Sequence, residues 1–170
     1  MRSASLVLAI MLAGWGCGGS KLDAEEPRTT AEHRSPETLV EAFAAAILSE
    51  DEAEIRALFM GDALIEESLE CDGENWMLAM KEKNLSKTLG MLSSLAAAKP
   101  AWAGVEEIGE PLELPEGSDE HGCKVMNHVV MKHVTFAMEF RRVDGVDRET
   151  MKVVVIQIAG QDSWYLLGEH

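Results

Sequence analysis

The chain has 170 residues, 46% of them hydrophobic, and 15 Lys+Arg against 30 Asp+Glu give a formal charge of -15. That length suffices for one sizeable core. The acidic excess repels phosphate and anionic lipid headgroups, so no nucleic-acid partner and no electrostatic adhesion to membrane is expected.

At the start of the chain, Arg2 precedes an apolar run, Ser3 to Ala13 (SASLVLAIMLA). The run has signal-peptide length and falls short of the roughly 20 apolar residues a spanning helix needs. It leads into Ala13-Gly14-Trp15-Gly16-Cys17-Gly18. A Cys placed directly after a small residue and a short apolar run resembles the lipobox of bacterial lipoproteins. That resemblance implies a signal peptide over 1–16, lipidation at Cys17, and a protein exported and held in the cell envelope by its lipid. Gly18 after the Cys resembles the pattern that sends such proteins to the outer membrane. The alternative is an ordinary secretory signal cut near Gly16 or Gly19, with Cys17 an incidental residue.

Residues 18–34 (GGSKLDAEEPRTTAEHR) are polar, mixed in charge and without hydrophobic periodicity. Such a composition cannot bury enough apolar surface to fold alone, so 17–34 reads as a lipidated tether ahead of a domain over 35–170.

Ser35-Pro36-Glu37 carries helix-start chemistry, and Leu39, Phe43 and Ile47 give an apolar stripe. Ser49 with Glu52 suggests a second helix with Ile55, Leu58 and Phe59 inside; Asp62 suggests a third, running through Leu69. From Glu74 to Ala98 helix is favoured again, with Leu78, Leu85, Leu89 and Leu92 near one face, Gly90 as a possible bend and Pro100 as the stop. Strand character follows: Val105 to Leu114 with Pro111 marking an edge, an acidic loop over Glu116 to Glu120, then Lys124 to Arg142. Asp144-Gly145 reads as a turn, Thr150 to Ala159 as the returning strand and Ser163 to Gly168 as the last. Helices followed by a meandering antiparallel sheet predict an α+β fold with N-terminal helices packed on a curved antiparallel sheet.

This order of elements resembles the NTF2-like, or SnoaL-like, group of cystatin-like cone folds. The resemblance is carried by Ser35, Pro36, Glu37, Leu39, Val40 and Phe43 at the front and by Trp164, Tyr165 and Leu166 at the end. It implies a cone able to take a small apolar ligand, a sheet face open to an envelope protein, and, in the enzymes of the group, an isomerase-like or hydratase-like site. The residues available for such a site are His128, His133 and Tyr165. His128 and His133 stand an odd number apart, so on a regular strand they face opposite ways: His128 toward the core with Val130 and Phe136, His133 toward an open side with Met131, Thr135 and Glu139.

If Cys17 carries lipid, the remaining cysteines pair naturally as a Cys71–Cys123 disulfide. The competing reading makes His121 and Cys123 metal ligands. Met126, His128, Met131 and His133 suggest a Cu(I)-handling site in the same spirit, although alternation splits them into two pairs. Asp144, Asp147 and Glu149 fall in a turn without the spacing of a calcium loop. No phosphate loop, nucleophile elbow or zinc-protease helix occurs in the sequence, and no cofactor or metal is predicted.

Overall fold

The computed structural model describes residues 33–142 and 145–169. The proposed signal peptide, Cys17, the tether up to residue 32 and the Asp144 half of the expected turn lie outside the described residues.

Among the described residues four helices come first in the main, as α1 (Pro36–Ser49), α2 (Glu52–Leu58), α3 (Asp62–Ser68) and α4 (Trp76–Ala98). Ser35 caps α1 through a reciprocal box with Thr38, which satisfies amides that have no partner within the helix. Glu50 then adopts left-handed backbone and closes α1, so the cap of α2 falls to Asp51, whose carboxylate accepts from Glu54 N. The expected Ser49 cap is displaced by this; the Ser49 hydroxyl bonds back to Ala45 and Ala46 carbonyls instead. Asn75 starts α4, accepting from Met77 and Leu78 amides. Gly90 lies inside α4 without ending it.

Among the described residues, eight strands form two sheets. The smaller has the order β1 (Leu69–Cys71), β5 (Cys123–Val125), β4 (Asp119–Glu120), all antiparallel. β4 and β5 are joined by His121 and Gly122, both at positive φ (53° and 77°), as a two-residue hairpin turn requires. Neither β1 nor β4 was legible: Leu69 was expected at the end of the third helix and Glu120 in a loop. Cys71 faces Cys123 directly across β1 and β5, and the two are disulfide-bonded. That fixes Cys123 as a disulfide partner and removes it from the metal reading with His121, whose ring instead meets Trp76 edge-on at 5.2 Å.

The larger sheet runs β2 (Ala101–Ile108), β6 (Val129–Arg142), β7 (Gly145–Ile158), β8 (Tyr165–Glu169), with β3 (Leu112–Leu114) beside β6 beyond β2. The single expected strand over 105–114 is broken at Gly109, Glu110 and Pro111, where the Gly109 amide donates to the His133 carbonyl at 2.8 Å. The fold is α+β: helices on antiparallel sheets.

β6 and β7 pair without interruption over fourteen residue pairs, from Val129↔Ile158 to Arg142↔Gly145. Their two faces serve two cores. Val134, Phe136, Met138 and Phe140 of β6, with Val153 and Val155 of β7, meet Leu39, Phe43 and Ile47 of α1 and Leu92 of α4. On the other side Val129, Met131, Val154, Ile156 and Ile158 meet Ile65, Leu69, Met77, Leu114 and Val125, so the small sheet and α3 cover that face. Alternation therefore makes this end of the sheet apolar on both sides. The buried face of α4 runs through Met77, Asn84, Thr88 and Leu92, not through the leucines alone. Thr88 satisfies its hydroxyl on the Asn84 carbonyl, and Asn84 lies so close to Gly168 of β8 that no side chain fits there.

Candidate functional site

The interior of a cone would be the natural ligand site in this architecture, and here side chains fill it. Phe43 sits edge-on to Phe136 with ring centres 6.3 Å apart, and Trp102 tilts against the same ring at 5.5 Å. Leu39, Val40, Ile55, Phe136 and Val155 are almost fully buried around them. A pocket among the described residues lies elsewhere: an open groove of about 430 Å³ between α2 and α4, lined by Arg56, Glu82, Leu85, Ser86 and Leu89.

The residues expected to carry chemistry are dispersed. His128 precedes β6 and does not join the core with Phe136 as expected; it is 40% exposed, and its Nε2 lies 3.5 Å from a Glu113 carboxylate oxygen. His133 lies in β6, half-buried, on the side of Val129 and Met131. That side was expected to be open, yet the second core closes its first half. Tyr165 starts β8 opposite Ile156, which in turn faces Met131. It is thus two strands and two residues away from His133, about 12 Å by strand geometry. No acid–base pair or oxyanion pocket is assembled from these three. Of the residues suggestive of copper, Met131 is buried in the second core while Met126 is largely exposed. Among the described residues, no three His, Cys, Asp or Glu side chains converge as a metal cage.

What the sequence reading missed is the far half of the long hairpin. β7 begins at Gly145, not at Thr150, so Asp147 and Glu149 lie in a strand and not in a turn. Residues 145 to 150 are all exposed, Val146 to 59%. β8 reaches only Val153 to Ile156, so among the described residues the outer edge of β7 from Gly145 to Lys152 has no strand beside it. Arg148 is held by two bonds to one Glu106 oxygen, 2.7 and 3.0 Å, which ties the projecting strand back to β2.

The signal was present in the sequence. In Gly145-Val-Asp-Arg-Glu-Thr-Met-Lys152 neither alternating set is apolar, whereas Val153 to Ile158 is apolar on both. A strand that changes in this way leaves the core part-way along its length.

Compared with known proteins, the chain matches no family model, no curated protein and no solved structure.

Proposed function

We propose that this protein is an exported bacterial lipoprotein, anchored in the cell envelope through Cys17, whose α+β domain binds a protein partner. The observation that carries the partner reading is the contrast described above. The sheet interior is filled by Phe43, Trp102 and Phe136, while residues 145–150 are exposed and, among the described residues, no strand lies along their outer side. A filled interior favours recognition at the surface over a small apolar ligand in the cone. The NTF2-like reading is supported by α1 opening at Ser35-Pro36-Glu37 and by the closing strand at Tyr165. Export is supported by the signal-like run and by the Cys71–Cys123 disulfide, a bond that persists in oxidising compartments.

The test of anchoring is the intact mass of protein taken from a membrane fraction, with Cys17→Ser as the comparison. A chain beginning at Cys17 with added acyl mass, lost to the soluble fraction on substitution, supports the reading. A chain cut elsewhere and unmodified overturns it.

A further inference from the structure

The fourth helix carries two neighbouring stripes with different fates. Met77, Asn84, Thr88 and Leu92 form the buried one. Beside it, about 100° further round the helix, run Glu82, Leu85, Ser86 and Leu89 at the spacing of a single face. Leu85 and Leu89 pack on the margin of the first core and stay half-buried. Across from them α2 buries Ile55 and Leu58, which leaves Arg56 turned outward. Between the two helices lies the groove of about 430 Å³, with two leucines, one hydroxyl and one charge of each sign in its lining. A volume of that order takes a small molecule.

Arg56 and Glu82 line one groove without neutralising each other. Among the described residues neither side chain enters an ion pair. Most simple occupants leave one of these groups unsatisfied. An apolar molecule over the leucines would take water from both charges and give neither a partner. An anion meets Glu82 and the formal charge of -15, and a cation meets Arg56. A molecule that carries both charges meets neither obstacle, because the field of the whole protein repels net charge and a zwitterion has none.

We propose that the groove between α2 and α4 binds a free aliphatic α-amino acid. Its carboxylate accepts from the Arg56 guanidinium, its ammonium donates to the Glu82 carboxylate, and its side chain lies against Leu85 and Leu89. The guanidinium is a planar fork of donors that matches a carboxylate, so Arg56 fixes the orientation of the ligand. Ser86, one turn from Glu82 on the same helix face, offers a second acceptor to the ammonium. Both walls are helical and anchored from below, α2 by Ile55 and Leu58 and α4 by Thr88 and Leu92. The groove belongs to the helical layer, so this inference goes beyond the protein-partner reading and does not depend on residues 145–150.

The test is calorimetric titration of the purified full chain with L-leucine, with N-acetyl-L-leucine, which lacks the ammonium, and with L-leucinamide, which lacks the carboxylate. Leucine is expected to bind with a sub-millimolar dissociation constant, and each analogue about tenfold more weakly for the loss of one charged hydrogen bond. Arg56→Gln should abolish the preference over leucinamide and keep that over N-acetyl-leucine, and Glu82→Gln should do the reverse. Both residues are exposed, so both variants keep the fold, as circular dichroism would show. Equal binding of the three compounds would assign the groove to an apolar segment of a partner and overturn the proposal. Discrimination that survives both substitutions would place the amino acid elsewhere on the protein, and it overturns the proposal as well. So does an absence of binding at millimolar leucine.

Discussion

At the scale of single residues, Gly168 is the most tightly enclosed of the described glycines. A methyl group placed on it would lie 1.8 Å from Asn84 Nδ2 and 2.8 Å from Asn84 Cβ, and the helix backbone behind Asn84 cannot retreat easily. Gly168→Ala should destabilise the fold by about 1–3 kcal/mol, the usual cost of overpacking, with a smaller penalty in an Asn84→Ala background. Denaturant titration of the four variants measures this, and equal penalties in both backgrounds would show that Asn84 is not the obstacle. His33 supplies the pH dependence. Burial holds its imidazole below the ordinary histidine range of about 6.5, opposed in part by the negative charge of Glu54. A depressed value means the folded state disfavours the proton that the unfolded state accepts. Stability from this group is therefore complete above about pH 6.5 and is lost as pH falls through the folded value. His33→Gln should flatten that part of a stability–pH profile, and an unchanged slope would assign it to other groups.

At the scale of elements, the disulfide joins segments that nothing else in the covalent chain brings together. Cys71 and Cys123 are 52 residues apart, and β1 and β5 have three residues each, too short to hold independently. In the chain-entropy account a loop of that length contributes about 4 kcal/mol. Replacing both cysteines by alanine should cost a large part of that, and exchange protection should be lost first over 69–71 and 119–125. Loss spread evenly over the molecule would mean that the small sheet has no separate weakness. Legibility in the sequence followed the strength of local signals. α1 was readable because its cap, its proline and its apolar stripe agree. α4 was readable as a helix but its buried face was not, because Asn84 and Thr88 occupy it and their burial depends on Gly168, more than 70 positions later. β1 and β4 were invisible because two or three residues make no periodic pattern; only their partner across the chain defines them. The pairing of the two cysteines was legible from their number, and the odd spacing of His128 and His133 already set the two apart; the exposure of His128 and the partial cover of His133 were not legible, since they depend on where β6 begins and on what packs over its second face.

At the scale of the whole molecule, the formal charge of -15 is not spread evenly along the chain. At the hairpin end Arg141, Arg142, Arg148 and Lys152 balance Glu139, Asp144, Asp147 and Glu149, so this stretch is neutral in sum within an otherwise acidic protein. Surface ion pairs of this kind contribute little to folding, in the range of 0–1 kcal/mol each. Arg148→Ala should accordingly leave global stability within about 1 kcal/mol of the parent, as denaturant midpoints would show. A larger loss would indicate that the Glu106 contact supports the core and not merely the projecting strand.

The bridge between Phe59 and Leu166 also has a meaning in time. It ties the second helix to the last strand across more than 100 positions, and β8 lies against α4 as well through Asn84 and Gly168. Contacts so distant in sequence are slow to form and cannot form at all until Tyr165–Glu169 has been made. A chain still leaving the ribosome has α1, α4 and the β6–β7 hairpin but lacks the strand that Phe59 and Asn84 close against. The β8 side of the fold therefore stays open until synthesis is complete.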